Sequence, residues 1–198
     1  MNYLAHALLS FNKPDILAGN MISDFVKGKT KYDYPAGIQK GIYLHRLIDE
    51  FTDAHPVTAI AKSYFRPQYR LYSGAFIDVV YDHFIAIDER QFGDYGNIET
   101  FSQQVYQLLQ NNFLLFPLRF QKMFSHMKSQ NWLYNYQYKE GIQKSFQGLV
   151  YRAAYLNESV IAYEIFNEYY AELQNCYIEF FPDLLQFASE NLSKLLAD

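Results

Sequence analysis

The chain has a single cysteine, Cys176, among 198 residues. That excludes an intrachain disulfide and a thiolate-rich structural zinc site, and it fits a reducing compartment. Positive charge is also scarce. Seventeen Lys and Arg face 21 Asp and Glu, a formal net charge of −4, which is not the basic footprint of general nucleic-acid binding. No apolar run approaches the ~20 residues that a membrane helix needs. The opening residues, Tyr3-Leu4-Ala5-His6, carry no basic flank and are broken by the histidine, so they make a poor secretory signal. These absences lead to the expectation of a soluble, cytoplasmic protein with neither nucleic acid nor membrane as partner.

Aromatic residues, by contrast, are abundant: 19 Tyr and 17 Phe in a chain that is half hydrophobic. This is a globular composition, long enough for a sizeable core. No strand-and-hairpin pattern, repeat period or low-complexity tract stands out. Apolar residues recur instead at helical spacing. Helices are expected over about residues 3–10, capped by Asn2, and 15–26, ended by Gly28. A third opens at Pro35 or Ala36 and ends near His55-Pro56, and a fourth breaks at Arg66-Pro67. A fifth covers about residues 69–88, with Leu71, Ala75, Asp78, Asp82 and Ile85 as its inner row. Further helices follow the loop at residues 93–97, with a break at Pro182. The expectation is an all-α fold, one domain over residues 1–198, with roughly eight to ten helices.

Chemistry is concentrated before residue 90, where four of the five histidines lie. In the third helix Ile38, Ile42, His45, Asp49 and Asp53 share one face, so a histidine and two carboxylates continue an isoleucine row. Burying such groups costs several kcal/mol each unless they are paired or bind metal. Similar interruptions are His6 in the first helix, Asn20 and Asp24 in the second, and Asp78, Asp82 and His83 in the fifth. If these helices share a centre, His6, Asp24, His45, Asp82 and His83 form a candidate ligand set for a divalent ion such as Mn²⁺, Fe²⁺ or Zn²⁺, with Mg²⁺ also open. Taken singly, each has a plainer reading: a hydrogen-bonded core histidine, an internal His45–Asp49 pair, or the wet end of a helix. For Asp53 and Asp78 a solvated face is the simpler reading. Lys27, Arg46 and Arg152 are the cations nearest to such positions and suit a phosphate. Lys27 lies three residues after Asp24 and would share its helix face.

Four blocks in order carry a family resemblance: Met1-Asn2-Tyr3-Leu4-Ala5-His6, Gly19 to Gly28, Gly41 to Asp49 with Thr52-Asp53, and Asp78 to Phe84. Together they resemble the acyl carrier protein phosphodiesterases. The resemblance implies hydrolysis of the phosphodiester between 4′-phosphopantetheine and a serine of holo acyl carrier protein. It also implies a divalent cation, manganese favoured, and an unusual version of the helical HD-domain bundle. In HD proteins a histidine directly precedes the metal-binding aspartate, whereas here Ser23 precedes Asp24. On this reading His6 and Asp82 match the first histidine and the last aspartate, and His45, with His83 second, replaces the missing imidazole. Asp49 would orient His45 or accept a proton, while Lys27, Arg46 or Arg152 would neutralise phosphate oxygens. Lys27, Lys29, Lys31 and Lys40 would form a basic rim for the carrier protein. The other readings are an HD-like phosphohydrolase acting on a nucleotide or another small phosphate ester, and a non-catalytic module that binds a carrier protein.

Overall fold

The computed structural model describes residues 1–197. Among them are eleven α-helices, joined partly by 3₁₀ turns, and no strand. The count exceeds the expected eight to ten because it includes pieces as short as Trp132–Asn135. The helices are α1 (Tyr3–Leu8), α2 (Pro14–Ile22), α3 (Ala36–Ala54), α4 (Pro56–Tyr69), α5 (Ser73–Ile87) and α6 (Ile98–Asn111). After them come α7 (Leu118–Ser129), α8 (Trp132–Asn135), α9 (Lys139–Arg152), α10 (Val160–Glu168) and α11 (Tyr170–Ala197).

Helices α2 and α3 lie backbone to backbone, because glycines meet at their crossing. A Cβ on Gly19 would fall 2.0 Å from the Ile38 carbonyl oxygen, and one on Gly41 would fall 2.3 Å from that of Ile16. No other residue fits there. The close approach brings the end of α2 alongside the middle of α3, which is where the polar groups are. Helix α1 is seated differently. Asn2 was expected to cap it, but the Asn2 side chain donates to the Tyr136 hydroxyl. The cap comes from α5 instead: the Leu4 and Ala5 amides donate to the two oxygens of Asp82, at 2.8 and 3.0 Å.

The aromatic residues build the rest of the core. Phe65, Phe76, Phe146 and Phe166 tie α4, α5, α9 and α10 together. Tyr81 stacks on Phe180 of α11 at 4.9 Å, and Phe116, Phe120 and Phe124 form a second group around α7.

Several boundaries differ from the sequence expectation. Pro67 and Pro182 do not end helices, since α4 runs on to Tyr69 and α11 runs through Pro182. A proline removes one backbone hydrogen bond and bends a helix. Around Pro182 the buried Phe180, Phe181 and Leu184 keep the helix packed in place. Helix α2 stops at Ile22, and Ser23–Phe25 forms a 3₁₀ turn closed by the Val26 amide on the Ser23 carbonyl. Lys27 is then extended and does not share a helix face with Asp24. Leu71 is not part of an inner row, because α5 begins only at Ser73.

Candidate metal centre

Three elements bring their polar groups together: α1 supplies His6, the turn after α2 supplies Asp24, and α3 supplies His45 and Asp49. The His45 Nδ1 lies 2.8 Å from the backbone carbonyl of Asn20. A carbonyl only accepts, so Nδ1 carries a proton and Nε2 is the free nitrogen. That Nε2 faces Asp49 Oδ2 at 3.1 Å and Asp24 Oδ1 at 3.3 Å. Two carboxylates around one nitrogen require a proton or a metal ion there. Burial pulls the His45 pKa down, but Asp24 and Asp49 outweigh it and raise it to about 9.

His6 lies on His45 with ring centroids 3.9 Å apart and planes 14° from parallel. It is buried, and neither of its ring nitrogens has a hydrogen-bond partner. Its Nε2 is 3.2 Å from Asp49 Oδ1. Burial, then the His45 charge, lower its pKa to about 4, so the ring is a neutral nitrogen donor at pH 7. Asp49 is the hub of the group, since Oδ1 also sits 3.0 Å from the Met1 amino nitrogen. Burial opposes its charge, but His45, the nearby His6 ring and the Met1 ammonium hold it well below the ordinary carboxylate range.

One ligand atom from each of His6, His45 and Asp49 lies within 4.8 Å of the other two. Two imidazoles and a carboxylate are donors that divalent transition metals accept. The orphaned nitrogens of buried His6 and the pinned tautomer of His45 both fit such an ion. Asp24 adjoins this trio from the solvent side, with 68% of its side chain exposed. The His45 hydrogen bond lowers the pKa of Asp24.

Asp24 also lines a cleft of about 740 Å³ between the N-terminus, α5, α8 and α9. Tyr3, Trp132, Lys144, Gly148 and Arg152 line it too. The group therefore reaches the cleft through Asp24, and the cleft carries two cationic side chains. A sequence model of the family described as acyl carrier protein phosphodiesterase matches residues 1–184. The chain belongs to that family. A Klebsiella pneumoniae protein named acyl carrier protein phosphodiesterase is 32% identical over 192 residues, covering 95% of this chain and 97% of the relative. Relatives of the same name from Yersinia pestis and Escherichia coli O157:H7 are 30% and 29% identical over 188 and 193 residues. They cover 95% and 96% of this chain and 97% and 98% of their own lengths. No solved structure matches the chain.

Within this family member, two of the expected metal ligands lie outside the cluster. Both Asp82 oxygens are taken by the α1 amides. Burial, offset by those amides, pushes its pKa up to about 7. His83 bonds through Nδ1 to the Tyr136 carbonyl and through Nε2 to the Tyr170 hydroxyl, at 2.7 and 2.9 Å. As Asp82's neighbour it is turned about 100° around the helix, where Phe84 and Phe166 pack against it. Among the cations, Arg152 lies in the cleft and Lys27 and Arg46 do not. Arg46 is exposed and donates to the Val26 carbonyl. Asp78 is not on a solvated face: it lines the cleft, and its Oδ1 is 3.2 Å from the Met1 amino nitrogen. Asp53 is exposed, as expected, and pairs with Lys62.

One contributor, Lys144, lies outside the expected set, and a second, Asn20, was expected on a buried row without its role. Lys144 stands eight residues before Arg152, with Gly148 midway, so all three share a face of α9. That spacing was visible in the sequence. Asn20 couples the two histidines: its side-chain amide donates to the His6 carbonyl and its own carbonyl takes the His45 proton. Spacing within α2 gives no sign of that.

Proposed function

We propose that this protein is a metal-dependent phosphodiesterase that removes 4′-phosphopantetheine from holo acyl carrier protein, leaving apo carrier protein. The observation that carries this reading is that Asp24, which faces His45 beside the His6–His45–Asp49 group, also lines the cleft that holds Lys144 and Arg152. Family membership and the printed names of the relatives point the same way. Manganese is the metal of choice in this reading. The cytoplasm is the proposed compartment.

His6, His45 and Asp49 would hold the ion, with Asp24 as the fourth and outermost ligand. A divalent ion there supplies a nucleophilic hydroxide near neutral pH and neutralises phosphoryl charge. The chain's own residues do the rest. Arg152 and Lys144 bind the non-bridging phosphate oxygens and orient the diester, with phosphorus toward Asp24. Asn20 fixes the proton on Nδ1 of His45, so Nε2 keeps its lone pair pointed at the centre. Asp24, ionised and partly exposed, receives a proton from the attacking water. The water oxygen bonds to phosphorus as the phosphorus–serine oxygen bond breaks, the serine oxygen takes the proton held by Asp24, and phosphopantetheine leaves as a monoester.

An HD-like arrangement remains part of the proposal, with His45 in place of the missing histidine. Ser23 is buried and its hydroxyl donates to the Ile42 carbonyl, a setting with room for a hydroxyl between α2 and α3. Purified, folded protein loaded with Mn²⁺ is expected to convert holo to apo carrier protein, read by intact-mass spectrometry. No conversion would count against the proposal. Release confined to a panel of nucleotides and small phosphate esters would favour a small-molecule phosphohydrolase instead.

A further inference from the structure

A second hollow of about 510 Å³ adjoins the cleft. Ala75 and Asp78 line both. The 3₁₀ turn Arg70–Tyr72 stands between them, with Tyr72 lining the large cleft and Leu71 the small hollow. The turn has three features that packing does not explain. Leu71 is 99% exposed, a large apolar side chain with nothing over it. Arg70 has φ 47° and ψ −117°, a conformation suited to glycine and strained for a residue with a side chain. The Ser73 hydroxyl holds the strained segment in place by donating to the Arg70 carbonyl. Around Leu71 are Lys62, Arg66 and Arg70. Lys62 pairs with Asp53, but Arg66 and Arg70 are exposed and have no carboxylate within ion-pair distance among the described residues.

We propose that this turn and its arginines are the docking face for the protein part of the substrate, an acidic surface with a shallow apolar seat for Leu71. This rests on the phosphodiesterase reading above. A phosphopantetheine arm is tethered to a serine, so when phosphorus lies beside Asp24 the carrier must sit against the rim of the same cleft. The turn forms part of that rim. Charge selects the partner's chemistry. The whole chain carries −4 and repels an acidic protein at long range. Local unpaired cations beside the cleft reverse that field where it matters and set orientation. Leu71, apolar and fixed on a strained turn, adds burial on contact without reorganising. The lysine loop anticipated from sequence, Lys27 to Lys40, lines neither hollow.

The test compares wild type with the double variant Arg66→Glu/Arg70→Glu, the variant Leu71→Asp, and Lys194→Glu, a charge reversal lining neither hollow. KM and kcat for release of phosphopantetheine from holo carrier protein are measured, with circular dichroism to verify folding. Both docking variants are expected to raise KM about tenfold or more and to leave kcat at saturation near the wild-type value. Lys194→Glu should match wild type. Added salt should raise the wild-type KM more than that of the double variant. Turnover by wild type with unchanged KM in both docking variants would overturn the docking face alone. Absence of turnover by the metal-loaded wild type would overturn the functional reading and the docking face with it. Should the double variant fail to fold, Leu71→Asp decides, because an exposed side chain is replaced by a polar one.

Discussion

Asp82 shows how a buried charge that needs a partner can find one in backbone amides. Its side chain is fully buried and both oxygens accept α1 amides. Its task is to seat the helix that carries His6, and a direct ligand role is not needed to explain its burial. Asp82→Asn leaves one amide without a good acceptor, at about 1–3 kcal/mol. The sign of the pH effect follows from the raised pKa. Between about pH 4, the ordinary carboxylate range, and about pH 7 the folded chain holds a proton that the unfolded chain has released. Rising pH through that window therefore lowers the stability of wild type. The amide variant lacks this dependence. Denaturant unfolding should find a larger stability gap between wild type and variant at pH 5 than at pH 8. Equal gaps would show that the carboxyl does not titrate there. The variant should still bind metal, more weakly, whereas His45→Ala should lose it. Asp49 read as an orienting partner of His45, and the structure also brings it within reach of His6. Its i,i+4 spacing reported a shared helix face, but its proximity to His6 and to the Met1 amino group depends on how α1 lies across α3. One helix's periodicity carries no information about that distance.

Among the elements, the α2–α3 pair decides whether a site exists at all. Its crossing has no space for side chains at Gly19 or Gly41. Gly41→Ala places a methyl carbon against the Ile16 carbonyl and forces the helices apart, at about 1–3 kcal/mol. The shift separates the Asn20 carbonyl from His45 Nδ1, which releases the ring orientation. Thermal unfolding should show a lower Tm, and metal titration a weaker affinity than the stability loss alone would give. A variant with lower Tm but wild-type metal affinity would disconnect the crossing from the site. The existence of α2 and α3 was legible from their apolar spacing, and the start of α3 was legible to within one residue, at Pro35 or Ala36. The end of α2 was not, because Ser23, Asp24 and Phe25 continue a helical pattern while the chain tightens into a 3₁₀ turn. The prolines at positions 67 and 182 misled for a related reason. Local chemistry disfavours a helix there, but neighbouring elements hold it, and a linear pattern does not contain those neighbours.

On the scale of the whole molecule, the candidate centre joins three segments, α1, the turn after α2, and α3. An ion held by His6, His45 and Asp49 would bind α1 to α3, and Asp24 would add the turn after α2. Because the unfolded chain has no preformed site, ion binding would stabilise the fold by mass action. The gain is about 2.7 kcal/mol at a hundredfold excess over Kd, or about 5–10 °C in Tm for a chain of this length. Removal of metal with a chelator should lower Tm by that amount in wild type and leave His45→Ala unchanged. The same ion must compete with a proton. In the ion-free chain His45 holds its second proton up to about pH 9, because two carboxylates face Nε2. Metal binding therefore expels that proton, and apparent affinity should rise about tenfold per pH unit below pH 9 while the other ligands keep their charge states. Calorimetry in two buffers of different ionisation enthalpy, at pH 7, would measure the release directly. One proton per ion is expected. If no proton is released at pH 7, then either His45 is already neutral or the ion binds elsewhere, and neither is compatible with this centre.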